Sequence, residues 1–171
     1  MNLSKSRLGT TALLVVVAVG LATVAGCAGR RREAFLFDKT REHVYRKPIA
    51  EVWPQALALL KEKGFSFRAG KDGFEAQTEW LMQGAPSSLG TTQARYFVRG
   101  IEKGPGQCSI EYHKQLSSES RGADNARNDT MDPIHNQSGN FNRDMEAEWE
   151  LLQKVDAESA TALRAESEKI Q

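Results

Sequence analysis

The sequence predicts an α+β fold, in which an antiparallel sheet of about four strands packs against an N-proximal helix and a long C-terminal helix in a helix-grip-like arrangement. Three observations predict it. Apolar residues recur at helical spacing over residues 48–63, alternating segments with hairpin-length connections follow over 65–113, and helical spacing returns from Phe141 onward. Because such short connections join antiparallel strands, we expect both helices on one face of the sheet.

Length and composition fit one domain of ordinary size. The chain has 171 residues, of which 40% are hydrophobic and 26% charged. Residues 1–27 contain two basic residues and no acidic one, so 21 basic and 22 acidic residues remain in 28–171, a net charge of −1. A near-neutral domain excludes bulk electrostatic attraction to nucleic acid, and we expect no nucleic-acid partner.

The N-terminus has the layout of a bacterial export signal. The basic residues Lys5 and Arg7 precede an uncharged run of 22 residues over positions 8–29. The apolar core of this run is followed by mostly small residues and then by a cysteine; the last four residues are Val24-Ala25-Gly26-Cys27. This tetrapeptide resembles the lipobox of bacterial lipoproteins.

The lipobox resemblance implies a cleaved and acylated N-terminus. It implies a signal peptide at residues 1–26, a cut before Cys27, and diacylglycerol attached to the Cys27 thiol, usually with a further acyl chain on the new amino group. Residues 27–41 would then be the lipidated N-terminus and a tether. Because Ala28 rather than Asp follows the cysteine, the resemblance favours the outer membrane, with the domain facing the periplasm.

An uncleaved transmembrane anchor is the alternative for the same run. Twenty-two residues would span roughly 30 Å at about 1.5 Å per residue, and the arginines at 30–32 would act as a stop-transfer cluster. Gly20, Thr23 and Gly26 weaken the second half of this run as a span. In a lipoprotein the three arginines either touch anionic head groups or belong to a solvated spacer.

Each element of the folded domain, residues 42–171, has its own signal. Pro48 suits the start of a helix, because an amide N–H at that position would have no acceptor within the helix. Gly64 suits the position that follows the end of the helix. Pro54 then requires an irregular first turn or a later start. Alternation predicts four strands, at residues 65–68, 74–80, 94–99 and 108–113.

Two polar stretches and a final helix complete the domain. A Gly/Pro/Ser-rich segment at 83–92 is predicted as a loop. Residues 117–140 are dense in Ser, Asn, Asp and Gly, and they predict a mobile loop that buries little. From Phe141 the apolar residues fall at spacings of three and four, which predicts one amphipathic helix of about 28 residues.

Catalytic and metal-binding patterns are absent from the sequence. His43, His113 and His135 have no metal-ligand spacing, and no phosphate-binding glycine motif occurs. Cys108 lies on an alternating strand and is interpreted as a small buried hydrophobic residue rather than a nucleophile. We therefore expect no catalytic residue, no metal and no cofactor, and the protein is not predicted to be an enzyme.

One surface has the composition of a protein-binding patch. Arg95, Phe97 and Arg99 share one face of a predicted strand, and Trp80 stands at a strand end. Arginine and aromatic residues are enriched in protein interfaces. The alternative for the strand face is an ordinary solvated surface. The alternative for Trp80 is a place in the core with Trp53 and Trp149.

The mature domain resembles BamC-like outer-membrane lipoprotein domains. The resemblance covers roughly residues 42–114 and the last helix, and it is carried by Val44 to Trp53, Leu57 to Phe65, and Thr78 to Trp80. It implies a non-catalytic protein-binding or scaffolding module of the cell envelope, with another envelope protein as partner. The alternative function is a small-ligand or lipid binder that uses a pocket between the sheet and the C-terminal helix.

Overall fold

The computed structural model describes residues 28–70, 73–87, 90–120, 134–137 and 141–170. Within these ranges the chain is an α+β fold with four helices and a seven-stranded sheet in which every strand pair is antiparallel. The predicted fold class is confirmed. The predicted number of about four strands is wrong.

The first helix, α1, covers residues 28–42. The sequence predicts a tether over residues 27–41, whereas the described part of that segment is helical. Alanine, arginine, glutamate and leucine, which favour helices, make up much of it. The helix is also tied to the domain: Arg32 Nε donates to the carbonyl of Ile170 at 3.1 Å, and an amino group of Arg143 donates to the carbonyl of Arg41 at 3.2 Å.

The second helix, α2, spans Ile49–Glu62 and confirms the helix predicted over residues 48–63. Pro48 is its N-cap rather than its first helical residue. The amide of Glu51 donates to the carbonyl of Pro48 at 3.0 Å, a three-residue bond that makes the first turn tight, and Pro54 follows within the helix. Of the two alternatives for Pro54, the later start is wrong, because the helix begins at Ile49 and contains Pro54.

A long hairpin is the centre of the sheet. The strands are β1 Phe67–Ala69, β2 Glu75–Thr78, β3 Leu81–Ser87, β4 Gly90–Gly104, β5 Gln107–Ser120, β6 Ile134–Gln137 and β7 Asn142–Arg143. β4 pairs with β5 along almost its whole length. On the other edge of β4, β2 and β3 follow one another, and on the other edge of β5, β7 and β6 do the same. β1 pairs with β2.

Two predicted loops contribute to this sheet. The segment 83–92 supplies the end of β3 and the start of β4. Within the predicted mobile loop 117–140, residues 117–120 end β5 and residues 134–137 form β6; the other residues of that loop lie outside the described ranges. Main-chain hydrogen bonds hold a strand pair together even where the side chains are polar, so composition alone did not reveal these strands.

The core lies between one face of the sheet and the helices. Its sheet side consists of Ala94, Tyr96 and Val98 of β4 and Cys108, Ile110 and Tyr112 of β5, all buried as the alternation predicts. The helices α2 and α3 pack against this face. The hydroxyl of Tyr112 donates to the carbonyl of Ala56 at 2.9 Å and so joins the sheet to α2.

The C-terminal segment is two helices rather than one. After β7, α3 spans Met145–Val155 and α4 spans Ala157–Ser167, so the predicted single helix of about 28 residues is wrong. Asp156 separates them with a non-helical φ of −139°, and its carboxylate accepts a hydrogen bond from the amide of Ser159 at 3.1 Å. The Asp156 side chain caps α4, and this capping competes with continuation of α3 through the same residue. The predicted helix-grip arrangement with one long terminal helix therefore does not form.

Candidate functional site

The predicted surface residues lie on the sheet face opposite the core. Arg95 and Phe97 alternate along β4 with the buried Ala94, Tyr96 and Val98, so they project away from α2 and α3. We define the Arg95 patch as Trp80, Met82, Arg95, Phe97 and Phe141. Trp80 lies between β2 and β3, and Phe141 precedes β7.

Arg95 is held in the middle of this patch. Its guanidinium carbon lies 4.6 Å from the centroid of the Trp80 ring and 5.5 Å from that of Phe141. Its Nε donates to Oε1 of Gln115, directly across on β5, at 2.7 Å. The rings of Phe97 and Phe141 meet edge-on at 6.4 Å. The guanidinium is thus ordered by two cation–π contacts and one hydrogen bond before any partner arrives.

The edges of the Arg95 patch are apolar and exposed. Met82 is 46% exposed and Phe141 is 37% exposed, although both are large hydrophobic residues. A fixed guanidinium surrounded by exposed apolar and aromatic side chains has the composition of a protein-binding hot spot.

Arg99, the fourth predicted residue, does not join the patch. It shares the strand face with Arg95, but its Nε lies 3.4 Å from a carboxylate oxygen of Glu75 on β2. Phe141, predicted to begin the terminal helix, lies in the patch and precedes β7 instead. The short strand β7, whose pairing with β5 places Phe141 beside Phe97, has only two residues and leaves no pattern in the sequence.

The other two tryptophans belong to the core side of the molecule. Trp53 and Trp149 are partly buried against the core, and Trp53 meets Phe74 edge-on at 5.9 Å. The core role weighed for all three tryptophans therefore fits Trp53 and Trp149, whereas Trp80 contacts Arg95.

A second concave feature lies on the core side of the sheet, between α1, the outer half of β5 and the start of α3. We call it the α1 groove; its volume is about 930 Å³. Its apolar lining consists of Leu36, Phe37, Leu116, Met145 and Trp149. A pocket between the sheet and the C-terminal helix belongs to the alternative function, a small-ligand or lipid binder; α1 adds a wall that no sequence pattern indicated.

An ion pair between a partly exposed arginine and a buried carboxylate lies at the end of this groove. Arg143 of β7 makes two hydrogen bonds to the carboxylate of Glu148 on α3, at 2.7 and 2.9 Å, and it lies 3.6 Å from Glu111 on β5. Glu148 is only 3% exposed and also accepts the amide of Tyr112 at 3.2 Å. Burial raises the pKa of Glu148, although its bonds with Arg143 oppose this shift.

The structure describes Cys108 and His43, which the sequence analysis weighed as a nucleophile and as a metal ligand. Cys108 is fully buried, and burial raises the pKa of its thiol, with Glu102 adding to the shift, so the reactive thiolate is disfavoured. Burial also lowers the pKa of His43, which lies 3.5 Å from Asp156. Among the residues that the structure describes, no three His, Cys, Asp or Glu side chains come together as metal ligands do.

Comparison with known proteins adds no family. No protein-family model matches this chain, and no curated protein matches it. In the part of the chain that is described, none of the helices is both long enough and apolar enough to cross a membrane.

Proposed function

We propose that this protein is a lipid-anchored lipoprotein of the bacterial cell envelope whose periplasm-facing domain binds another envelope protein and catalyses no reaction. The anchor is the lipid on Cys27, in the outer membrane. The lipobox-like sequence at 24–27, the alanine at position 28 and the resemblance to BamC-like domains support this proposal.

The Arg95 patch is the observation that carries the binding function. Trp80 and Arg95 are residue types that dominate binding energy in interfaces. Because Gln115 and the two rings already order Arg95, little side-chain entropy remains to be lost on binding. A partner segment with a carboxylate beside an apolar side chain would complement the guanidinium and the exposed Met82 and Phe141.

Site-specific crosslinking in living cells tests this function. A photoreactive side chain in place of Met82 should crosslink one discrete envelope protein, and Arg95→Ala should remove that product. Arg99→Ala is the matched control, because Arg99 shares the strand face but is paired with Glu75. Equal crosslinking in both alanine variants, or background proteins alone, would contradict the proposed surface.

The anchor has a separate test. The intact mass of the wild-type protein extracted from membranes should equal that of residues 27–171 plus acyl chains, and Cys27→Ser should carry no acyl chain, because the thiol is the attachment point for the diacylglycerol. A wild-type protein with the full, unacylated mass of the uncleaved chain would make the transmembrane anchor correct instead.

The α1 groove favours the second candidate function, a small-ligand or lipid binder. Its volume of about 930 Å³ is in the range of ligand sites, and its five apolar side chains suit a hydrophobic ligand.

A further inference from the structure

The α1 groove exposes an apolar lining. Leu116 points into it from β5 and is 45% exposed, and Leu36, Phe37, Met145 and Trp149 line it further. An apolar ligand in the groove would remove this surface from water, which the hydrophobic effect favours.

The charges around the groove cancel. Its three lining cations are balanced by three lining carboxylates, Glu33, Asp144 and Glu146. Each of the three cations also has a partner within the protein: Arg32 the carbonyl of Ile170, Lys114 the carboxylate of Asp144, and Arg143 the carboxylate of Glu148. The groove therefore offers no net charge to a ligand, and its chemistry fits an uncharged hydrocarbon chain.

The position of the groove along the chain suggests where such a hydrocarbon would come from. Gly29, in the first turn of the described α1, lines the groove, and Cys27 is only two residues away. Two extended residues reach about 7 Å, so a group attached at Cys27 is within reach of the groove. A short link of this kind gives an effective concentration on the order of millimolar.

We propose that the α1 groove holds one acyl chain of the lipid anchor on Cys27. This inference rests on the proposed lipidation of Cys27. The chain leaves the bilayer for a second apolar environment, so it stays out of water, and the remaining acyl chains keep the protein attached to the membrane. In this arrangement α1 is a wall of the lipid site rather than a free spacer.

Photocrosslinking of the lipidated, full-length protein in phospholipid vesicles tests the inference. A benzophenone side chain in place of Leu116 should yield an adduct that joins this position to the acylated Cys27 peptide, identified by mass spectrometry. The same side chain in place of Met82 is the matched control, because Met82 is 46% exposed but lies on the opposite face of the sheet. We expect no such adduct from position 82.

A second experiment tests the inference by placing a charged side chain in the groove. With the benzophenone at Glu33, which also lines the groove, Leu116→Glu should abolish the adduct because a carboxylate expels hydrocarbon, whereas Met82→Glu should leave it unchanged. Adducts with bilayer phospholipid or with a partner protein, or no adduct to Cys27, would overturn the inference. The intact mass separates the two proposals: an unacylated Cys27 refutes the anchor, and an acylated Cys27 without the adduct refutes only the groove.

Discussion

Replacing Arg143 by methionine should destabilise the protein strongly and in a pH-dependent way. The side chain of methionine fills similar space but donates no hydrogen bond. Glu148 is only 3% exposed, and the amide of Tyr112 would be the remaining described donor to its carboxylate. Loss of one partner of a buried ion pair costs about 3–5 kcal/mol, because the other charge stays buried and unpaired. We expect a loss of that size at pH 7.

The sign of the pH dependence follows from Glu148. Burial already raises its pKa, and without Arg143 the amide of Tyr112 still opposes this shift but the hydrogen bonds and charge of Arg143 no longer do, so the pKa rises further. A carboxyl with a raised pKa in the folded state binds its proton more tightly there than in the unfolded chain. The free energy of unfolding of Arg143→Met should therefore fall as the pH rises from the ordinary glutamate value through the folded pKa, and the loss should be smallest in acid.

Urea unfolding followed by tryptophan fluorescence between pH 4 and pH 8 measures the free energy of unfolding of each variant and its pH dependence. Adding Glu148→Gln to Arg143→Met should recover stability at pH 7 and flatten the pH dependence, because no buried charge remains. Arg41→Met, on an exposed residue of α1, is the control and should change stability by less than about 0.5 kcal/mol. A double variant no more stable than Arg143→Met, or a single variant whose stability increases with pH, would refute the reasoning.

Two smaller predictions concern the break between α3 and α4 and the tight packing of side chains against Gly100. Asp156→Ala should cost about 1 kcal/mol, measured by thermal unfolding, because it removes the N-cap of α4. Burial acts to raise the pKa of Asp156, but hydrogen bonds from Ser159 together with the charges of His43 and Lys47 lower it. The difference in stability between wild type and variant should therefore shrink as the pH falls below the ordinary aspartate value. Gly100→Ala should cost about 1–3 kcal/mol in urea unfolding, because its Cβ would lie 2.6 Å from Cδ1 of Ile49 and 3.0 Å from Cβ of Phe74, and a Cβ cannot turn aside as the end of a side chain can. Gly104→Ala, whose Cβ would meet nothing within 4 Å, should be neutral; equal losses in both glycine variants would contradict the packing argument.

The elements that the sequence predicted well are those with a local periodic pattern. The stripe of α2 and the alternation of β4 and β5 each record burial on one face, and these residues are buried as predicted. The elements it missed carry little pattern of their own. The strands β6 and β7 have four and two residues, and they form because β5 offers them unpaired main-chain groups.

The candidate site likewise has residues that the sequence pattern predicted and a residue that it did not. Arg95 and Phe97 were placed on one face by alternation alone, and the resemblance at residues 24–27 is a matter of sequence only. Phe141 reaches Arg95 because β7 pairs with β5 across a separation that no local pattern records.

The sequence by itself determined the α+β class, the faces of the central strands and the prediction of a lipid anchor at Cys27. These follow from residue types at short, regular spacing. The tertiary structure decided that Arg95 is held between Trp80 and Phe141, that Arg99 is paired with Glu75, and that α1 walls a groove. Each of these depends on which distant segments pack together, because long-range contacts arise from competition among many possible pairings of the folded chain rather than from any one segment's pattern.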